Sequence, residues 1–407
     1  MSLKNWNNIP RIEPSKTNFL YHREIPIYPE KSCFYGNGRS YSDVCLTKNG
    51  VLVPTKKLNR FLNFDVDNGF ITCEAGVRII DLLNIIVPAG WFLTTSPGTK
   101  YATIGGMVAN DVHGKNHHQA GSFGNCIESI ELSRSDVGLI KCSENENKEL
   151  FFSTIGGLGL TGLILNVTFR LKKIQNVLMS EIYQKFRNLD EFWEINETSV
   201  KNYEHTVAWV DCTAIGKNIG RGIYYSANEK KGLNLALKSR KKFSFPFSPP
   251  ISLVNNFSVS VFNKIYYNSH KEQSSRSVYF DDYFYPLDSV KSWNKIYGNE
   301  GFYQYQYVIP NVNAKIGLEE TLKLIKIFKT GSFLIVLKTF GDIQSKGFLS
   351  FPREGVTLAV DLPNNGKSTI SLMSELDKLV LALDGALYPA KDCRISAEVF
   401  EKSFPKH

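Results

Sequence analysis

The glycine run Gly157-Leu158-Gly159-Leu160-Thr161-Gly162 has the form G-x-G-x-x-G, but it leads straight into LILNVTFRL. There Leu163, Leu165, Val167 and Phe169 alternate with Ile164, Asn166, Thr168 and Arg170, the period of a half-buried strand. A dinucleotide fingerprint must follow a strand and open a helix whose N-terminus carries the pyrophosphate. The run therefore argues against a Rossmann site. Its glycines are read instead as places where backbone and an extended ligand approach closely.

The rest of residues 1–172 fits that reading, being dense in glycine and in short β-branched runs such as GVLVPT and FITCEAGV. One helix is predicted over 77–87, where Ile79, Ile80, Leu82, Leu83, Ile86 and Val87 follow the 3.6 period and Pro88 ends it. From 173 to 380 glycine thins out. Helices are predicted over 188–200, 313–329 and 368–383, with strand-like runs TVAWVDCTA, FYQYQYVIP, SFLIVLKTFG and GVTLAVDLP between them. The fold class is α+β: a first domain over 1–172, a second over 173–380 built on a sheet covered by helices, and a C-terminal segment over 381–407. Two polar stretches read as loops. One spans 227–250, with Lys230, Lys231, Lys238, Arg240, Lys241 and Lys242 ahead of Phe243, Phe245 and Phe247, and the other is NSHKEQSSRS at 268–277.

With 407 residues, 43% hydrophobic and 21% charged, the chain is globular and long enough for a sizeable core without staples. The excess of 48 Lys+Arg over 39 Asp+Glu, +9, calls for an anionic partner, but no zinc-finger, RNP or helix-turn-helix pattern points to nucleic acid. Seven scattered cysteines without C-x-x-C fit a reducing compartment. MSLKNWNNIP lacks the apolar core of a signal peptide, and no run reaches the roughly 20 apolar residues of a membrane span. A cytoplasmic protein is expected, with a peripheral place at the inner membrane as the alternative.

Gly36-Asn37-Gly38-Arg39-Ser40-Tyr41 lacks a third glycine but can form an anion-binding nest. Further tight turns follow at Ser96-Pro97-Gly98-Thr99, Thr103-Ile104-Gly105-Gly106 and Gly121-Ser122-Phe123-Gly124-Asn125, and converging glycine loops suit a long ligand held by backbone amides. In DVHGKNHH, His113, His117 and His118 invite a metal reading. Gly114 breaks the helix that would align His113 with His117, and no Cys or second H-x-x-x-H accompanies them, so no metal is expected. The stronger reading places His113 and Lys115 beside an electron-accepting cofactor.

Taken in order, GNGRSYSD, SPGTKYATIGGMVANDVHGKNHHQAGSFGN and FFSTIGGLGLTG resemble the PCMH-type FAD-binding domain of the vanillyl-alcohol oxidase superfamily. FYQYQYVIP, SFLIVLKTFG, VDLP and GALYPAKDCRISAEVF extend the resemblance to the decaprenylphosphoryl-β-D-ribose oxidase group, the flavin half of a two-enzyme 2′-epimerase of cell-envelope polysaccharide biosynthesis. The resemblance implies a two-subdomain FAD-binding domain and a substrate domain with an antiparallel sheet. FAD contacts would come from Gly36, Asn37, Gly38, Arg39, Ser40, Tyr41, Gly98, Thr103, Gly105, Gly106, Asn110, His113, Ile164 and Tyr388. Related oxidases link the flavin to a His in the first glycine loop; Tyr41 stands there in this chain, so noncovalent FAD is expected.

By the same resemblance His113, Lys115, Gln306, Lys338, Tyr388 and Lys391 surround the flavin ring. Lys391 is the preferred base, with His113 or Tyr41 as alternatives, and Gln306 and Lys338 would hold sugar hydroxyls or phosphate. Two departures are noted: Thr357 and Ala359 replace Asn and Cys, and relatives continue through another helical segment after EKSFPKH, so a missing closing segment is expected. The expected function is oxidation of the 2′-hydroxyl of a polyprenyl-phospho-pentose, or a similar lipid-linked or nucleotide-linked sugar, with a short-chain NAD(P)H reductase as partner. The two polar loops would face the membrane. The alternatives are an alditol or aldonolactone oxidase using O2 and a non-catalytic flavin- or lipid-binding protein.

Overall fold

The computed structural model describes residues 3–20, 31–238, 243–244, 249–250 and 252–407. In the first half an antiparallel sheet runs in the order Phe61–Asp65, Phe70–Glu74, Leu163–Lys173, Ile127–Arg134 and Gly138–Ser143, and Trp91–Leu93 also pairs with Leu163–Lys173. The glycine run does open that central strand, as its period requires. Val167 and Phe169 face a core shared with Ile79, Leu82, Leu83 and Ile86 of helix Ile79–Ile86, which lies inside the 77–87 span. A small parallel sheet of Lys16–Thr17, Val51–Pro54 and Ser32–Tyr35 ends at the Gly36–Gly38 turn.

The second sheet has eight antiparallel strands in the order Gln273–Tyr279, Leu178–Phe186, Gly222–Glu229, His205–Val210, Ile335–Phe340, Gly355–Pro363, Phe302–Ile309 and Ala386–Leu387. Helices Leu189–Asn202, Asn311–Ile327 and Lys367–Ala382 cover one face, near the spans that periodicity predicts. Asn188 starts the first of them by accepting a hydrogen bond from Glu191 N.

Register decides what each face carries. Gln304 pairs with Asp361, Gln306 with Ala359, and Lys338 with Thr357. Because side chains alternate, Tyr305, Tyr307, Leu337, Leu358, Val360 and Leu362 enter the core beneath the helices. Gln304, Gln306, Lys338, Ala359 and Asp361 are left on the opposite face, which looks toward the first half of the chain.

The 268–277 stretch is not a loop. It holds the end of helix Asn256–Ser269 and most of the edge strand Gln273–Tyr279, which pairs with Leu178–Phe186. QSSRSVY has too few apolar residues to show a period. Its place is set by backbone pairing and by Arg276, which meets Glu181 at 2.5 Å directly across the register. Of the other predicted loop, residues up to Glu229 belong to strand Gly222–Glu229, and Lys230, Lys231 and Lys238 are exposed. Arg240, Lys241, Lys242, Phe245 and Phe247 lie outside the described residues.

Leu358→Ala should lower stability by about 2–5 kcal/mol, the range for truncating a fully buried leucine. A urea titration followed by far-UV circular dichroism measures it; an unchanged midpoint would contradict the face assignment.

Candidate active site

Between the glycine turns of the first half and the polar face of the second sheet lies a cleft of about 1810 Å³, open solvent at its mouth included. Counted as space open to the centres of water-sized molecules it is about 330 Å³, within the roughly 300–1,000 Å³ of a small-molecule site. Gly36, Asn37, Gly38, Arg39, Ser40, Tyr41, Gly98, Thr103, Gly105, Gly106, Asn110, His113 and Ile164 line one part. Gln304, Gln306, Val336, Lys338 and Ala359 line another, and Tyr388, Ala390 and Lys391 come from the C-terminal segment. That segment is tied in by Tyr41 N and Ser42 N, which both donate to Ala390 O.

Gly36, Gly38 and Gly105 pack with no room for a side chain, whereas a Cβ on Gly98 would meet nothing within 4 Å. A Cβ on Gly36 would lie 2.5 Å from Thr103 Oγ1, and one on Gly105 would lie 2.8 Å from Ala75 Cβ. Gly38 has φ +59°, a left-handed conformation that favours glycine. Thr103 caps helix Ile104–Ala109 by accepting from Gly106 N at 3.2 Å. The Arg39 guanidinium sits 4.3 Å from the Trp6 ring centre, with its Nε buried and unbonded; Asn110 Oδ1 is likewise buried and unbonded. A buried polar atom without a partner costs about 1–3 kcal/mol. A turn stripped of side chains and walled by unsatisfied donors and acceptors fits the ribityl-pyrophosphate part of FAD.

Across the cleft, Thr357 Oγ1 donates to Tyr307 O at 2.7 Å and accepts from Gln306 Nε2 at 3.1 Å. The same amide nitrogen lies 2.9 Å from His113 Nε2. In that orientation the amide donates, so Nε2 accepts and the ring proton of neutral His113 sits on Nδ1. Nδ1 lies 3.0 Å from Lys338 Nζ, which can accept only as a neutral amine. The electrostatics agree: burial, then the positive charges of Lys115 and Lys391, pulls Lys338 down to about 7. Burial, followed by Lys338, His117 and Lys391, holds His113 well below the ordinary imidazole value.

The Lys391 side-chain amine differs from that of Lys338 in having no hydrogen bond among the described residues, while its backbone N–H donates to Tyr388 O. Its Nζ lies 4.3 Å over the Tyr41 ring, and burial brings it down to about 8 against the opposing pull of Asp361. Asp361, fully buried and raised to about 7 by desolvation, accepts from Gln304 Nε2 at 2.5 Å. Its other oxygen, Oδ2, is unbonded. Tyr41 is raised well above the usual phenol value by burial and then by Asp361, so it stays protonated.

Each residue expected at the site lines this cleft except Lys115, whose ammonium is turned to Tyr283 O and the Tyr283 ring. Tyr388 stacks on Phe351 at 4.5 Å and donates to Asn110 O at 2.8 Å. Gln304, Asp361, Asp288, Trp6 and Trp293 were not foreseen. Gln304 carried a signal, being two residues from Gln306 on one strand face. The others reach the site through contacts distant in sequence.

Residues 24–143 match a family of FAD binding domains. Over 384 residues, 91% of this chain and 82% of the relative, the sequence is 32% identical to decaprenylphosphoryl-β-D-ribose oxidase of Mycolicibacterium smegmatis. It is 28% identical over 342 residues to an uncharacterized Streptomyces coelicolor protein, covering 80% of this chain and 91% of that one. Similarity to L-gulonolactone oxidase of Scyliorhinus torazame, 33% over 135 residues, spans 33% of this chain and 30% of that enzyme. The likeness to a lactone oxidase is therefore partial, whereas that to the ribose oxidase runs through nearly the whole chain.

Gly36→Ala should displace Thr103 and weaken its cap, worth about 1 kcal/mol, and should sharply reduce the flavin retained on purification. The ratio of flavin to protein absorbance checks it. Full occupancy would count against the glycine turn as the cofactor cradle.

Proposed function

This chain belongs to the decaprenylphosphoryl-β-D-ribose oxidase family and is an FAD-dependent oxidoreductase, and we propose that it oxidises the 2′-hydroxyl of a polyprenyl-phospho-pentose to a keto sugar. The observation that carries this reading is Lys391: a half-buried side chain on the cleft wall whose amine lies 4.3 Å over the Tyr41 ring and has no hydrogen bond among the described residues. The Gly36–Tyr41 and Thr103–Gly106 turns would hold FAD noncovalently, and when bound it would supply the two-electron acceptor for the carbinol hydride.

The protein's own part is proton transfer and positioning. Neutral Lys391 takes the hydroxyl proton as the hydride leaves, a role for an amine whose pKa lies near the working pH. His113 is less suited, since Gln306 and Lys338 occupy both ring nitrogens. Tyr41 remains a phenol and offers no lone pair of comparable basicity. Gln306 and Lys338 hold the sugar hydroxyls or the phosphate, and Asp361 orients Gln304 while opposing the lowering of Lys391. A short-chain NAD(P)H reductase acting on the keto sugar completes the epimerisation.

Anaerobic bleaching of the flavin by prenyl-phospho-pentoses tests the substrate; reduction by simple alditols or aldonolactones, with none by prenyl-phospho-sugars, would overturn it. Lys391→Ala should keep its flavin and slow reduction by about 10²–10⁴-fold, the worth of a general base. Since the neutral amine is the active form, the reduction rate should rise with pH through an ionisation near 8 and be lost as pH falls below it. Asp361→Asn removes the charge that favours the ammonium, so the same ionisation should move to lower pH. Stopped-flow profiles of the two proteins provide the comparison, and coincident profiles would remove Asp361 from this role.

A further inference from the structure

Helix Asn256–Ser269 is apolar on two sides. Val259, Asn263 and Tyr267, four residues apart, are buried, and Asn263 Nδ2 donates to Asp211 Oδ1 at 2.9 Å. Phe257, Val261 and Ile265 have the same spacing on another face and are 79%, 42% and 64% exposed. Leu253 and Phe262 extend that face, 48% and 43% exposed. A surface helix ordinarily turns charged residues to water, and a contiguous apolar patch marks a surface that something covers.

Lysines stand beside the patch. Residues 249–270 contain Lys264 and no Asp or Glu. Lys295 lies on the segment where Ile296 O accepts from Leu253 N, with exposed Lys291 just before it. Exposed Lys329 precedes Gly331, whose N–H donates to Asn256 Oδ1. Helix Asn311–Ile327 provides the contrast: it too exposes Val312, Ile316 and Ile327, but Glu319, Glu320 and Lys323 stand among them.

We propose that the Phe257–Val261–Ile265 face docks on a bilayer bearing anionic headgroups, its apolar side chains in the acyl boundary and the lysines among the headgroups. The buried side of the same helix packs, through Val259, into a cluster that includes Tyr41 and Trp293, both of which line the cleft. Docking sets that wall of the active site beside the membrane, where a prenyl chain resides; this consequence rests on the lipid-linked substrate proposed above.

Flotation of the flavin-loaded protein with vesicles tests the inference. The wild type should float with phosphatidylcholine–phosphatidylglycerol vesicles and far less with phosphatidylcholine alone. Phe257→Ser/Ile265→Ser should float at least about tenfold less, with unchanged flavin content and unchanged turnover of a water-soluble short-prenyl substrate. Lys264→Glu should reduce the preference for the anionic lipid. Equal flotation of the double variant, or no flotation of the wild type, overturns the inference. So does a wild-type dimer that becomes monomeric in the double variant without vesicle binding, which would assign the face to a second copy. Turnover of lipid-linked sugar without flotation defeats the membrane face alone; flotation without flavin reduction by any lipid-linked sugar defeats the substrate reading alone.

Discussion

The pairing of strand Phe302–Ile309 with strand Gly355–Pro363 is the constraint on which the site depends. It sets Gln304 opposite Asp361 and Gln306 opposite Ala359, and the adjoining strand Ile335–Phe340 sets Lys338 opposite Thr357. A slip of one residue would turn every side chain over. Tyr305, Tyr307 and Leu358 would then face the cleft, and the amide, amine and carboxylate groups would lie beneath the helices. That core of buried aromatic and aliphatic residues therefore holds the polar wall in place from the opposite face of the sheet.

Several basic groups then share a buried wall with few anions. Withdrawing a cation from water disfavours its charged form, and each neighbouring cation adds to the effect. Lys338 and His113 respond by meeting as neutral partners, and Lys391 is lowered less because Asp361 faces it. The oxidation draws on the same condition: an amine whose ionisation is lowered to about 8 loses its proton, and can accept one from the substrate, at a lower pH than an ordinary lysine. The lysines behind the +9 formal balance of the chain are thus divided between the wall of the cleft and the surface.

Much of the site was readable from local pattern. Gly36–Tyr41 and Thr103–Gly106 are short glycine motifs whose residue types state their backbone demands, whereas Tyr388 and Lys391 were implied by the family resemblance; residues of all three stretches line the cleft. Less was readable where pairing outweighs composition. The edge strand Gln273–Tyr279 is polar, so its hydrogen bonds to Leu178–Phe186 left no period to detect. Lys115 stands two residues from His113, yet the chain turns between them and sends its amine to Tyr283 O.

By itself the sequence determined the type of the strongly periodic elements, the glycine turns and the alternation that makes Gln304 and Gln306 neighbours on one face, because these follow from backbone sterics and side-chain period over a few residues. Tertiary structure alone decided which basic group is free to act. Whether Lys115, Lys338 or Lys391 holds an available lone pair depends on burial and on partners far away in the chain, Tyr283, His113 and Asp361. Desolvation and Coulomb terms act through space, and only the folded chain sets those distances.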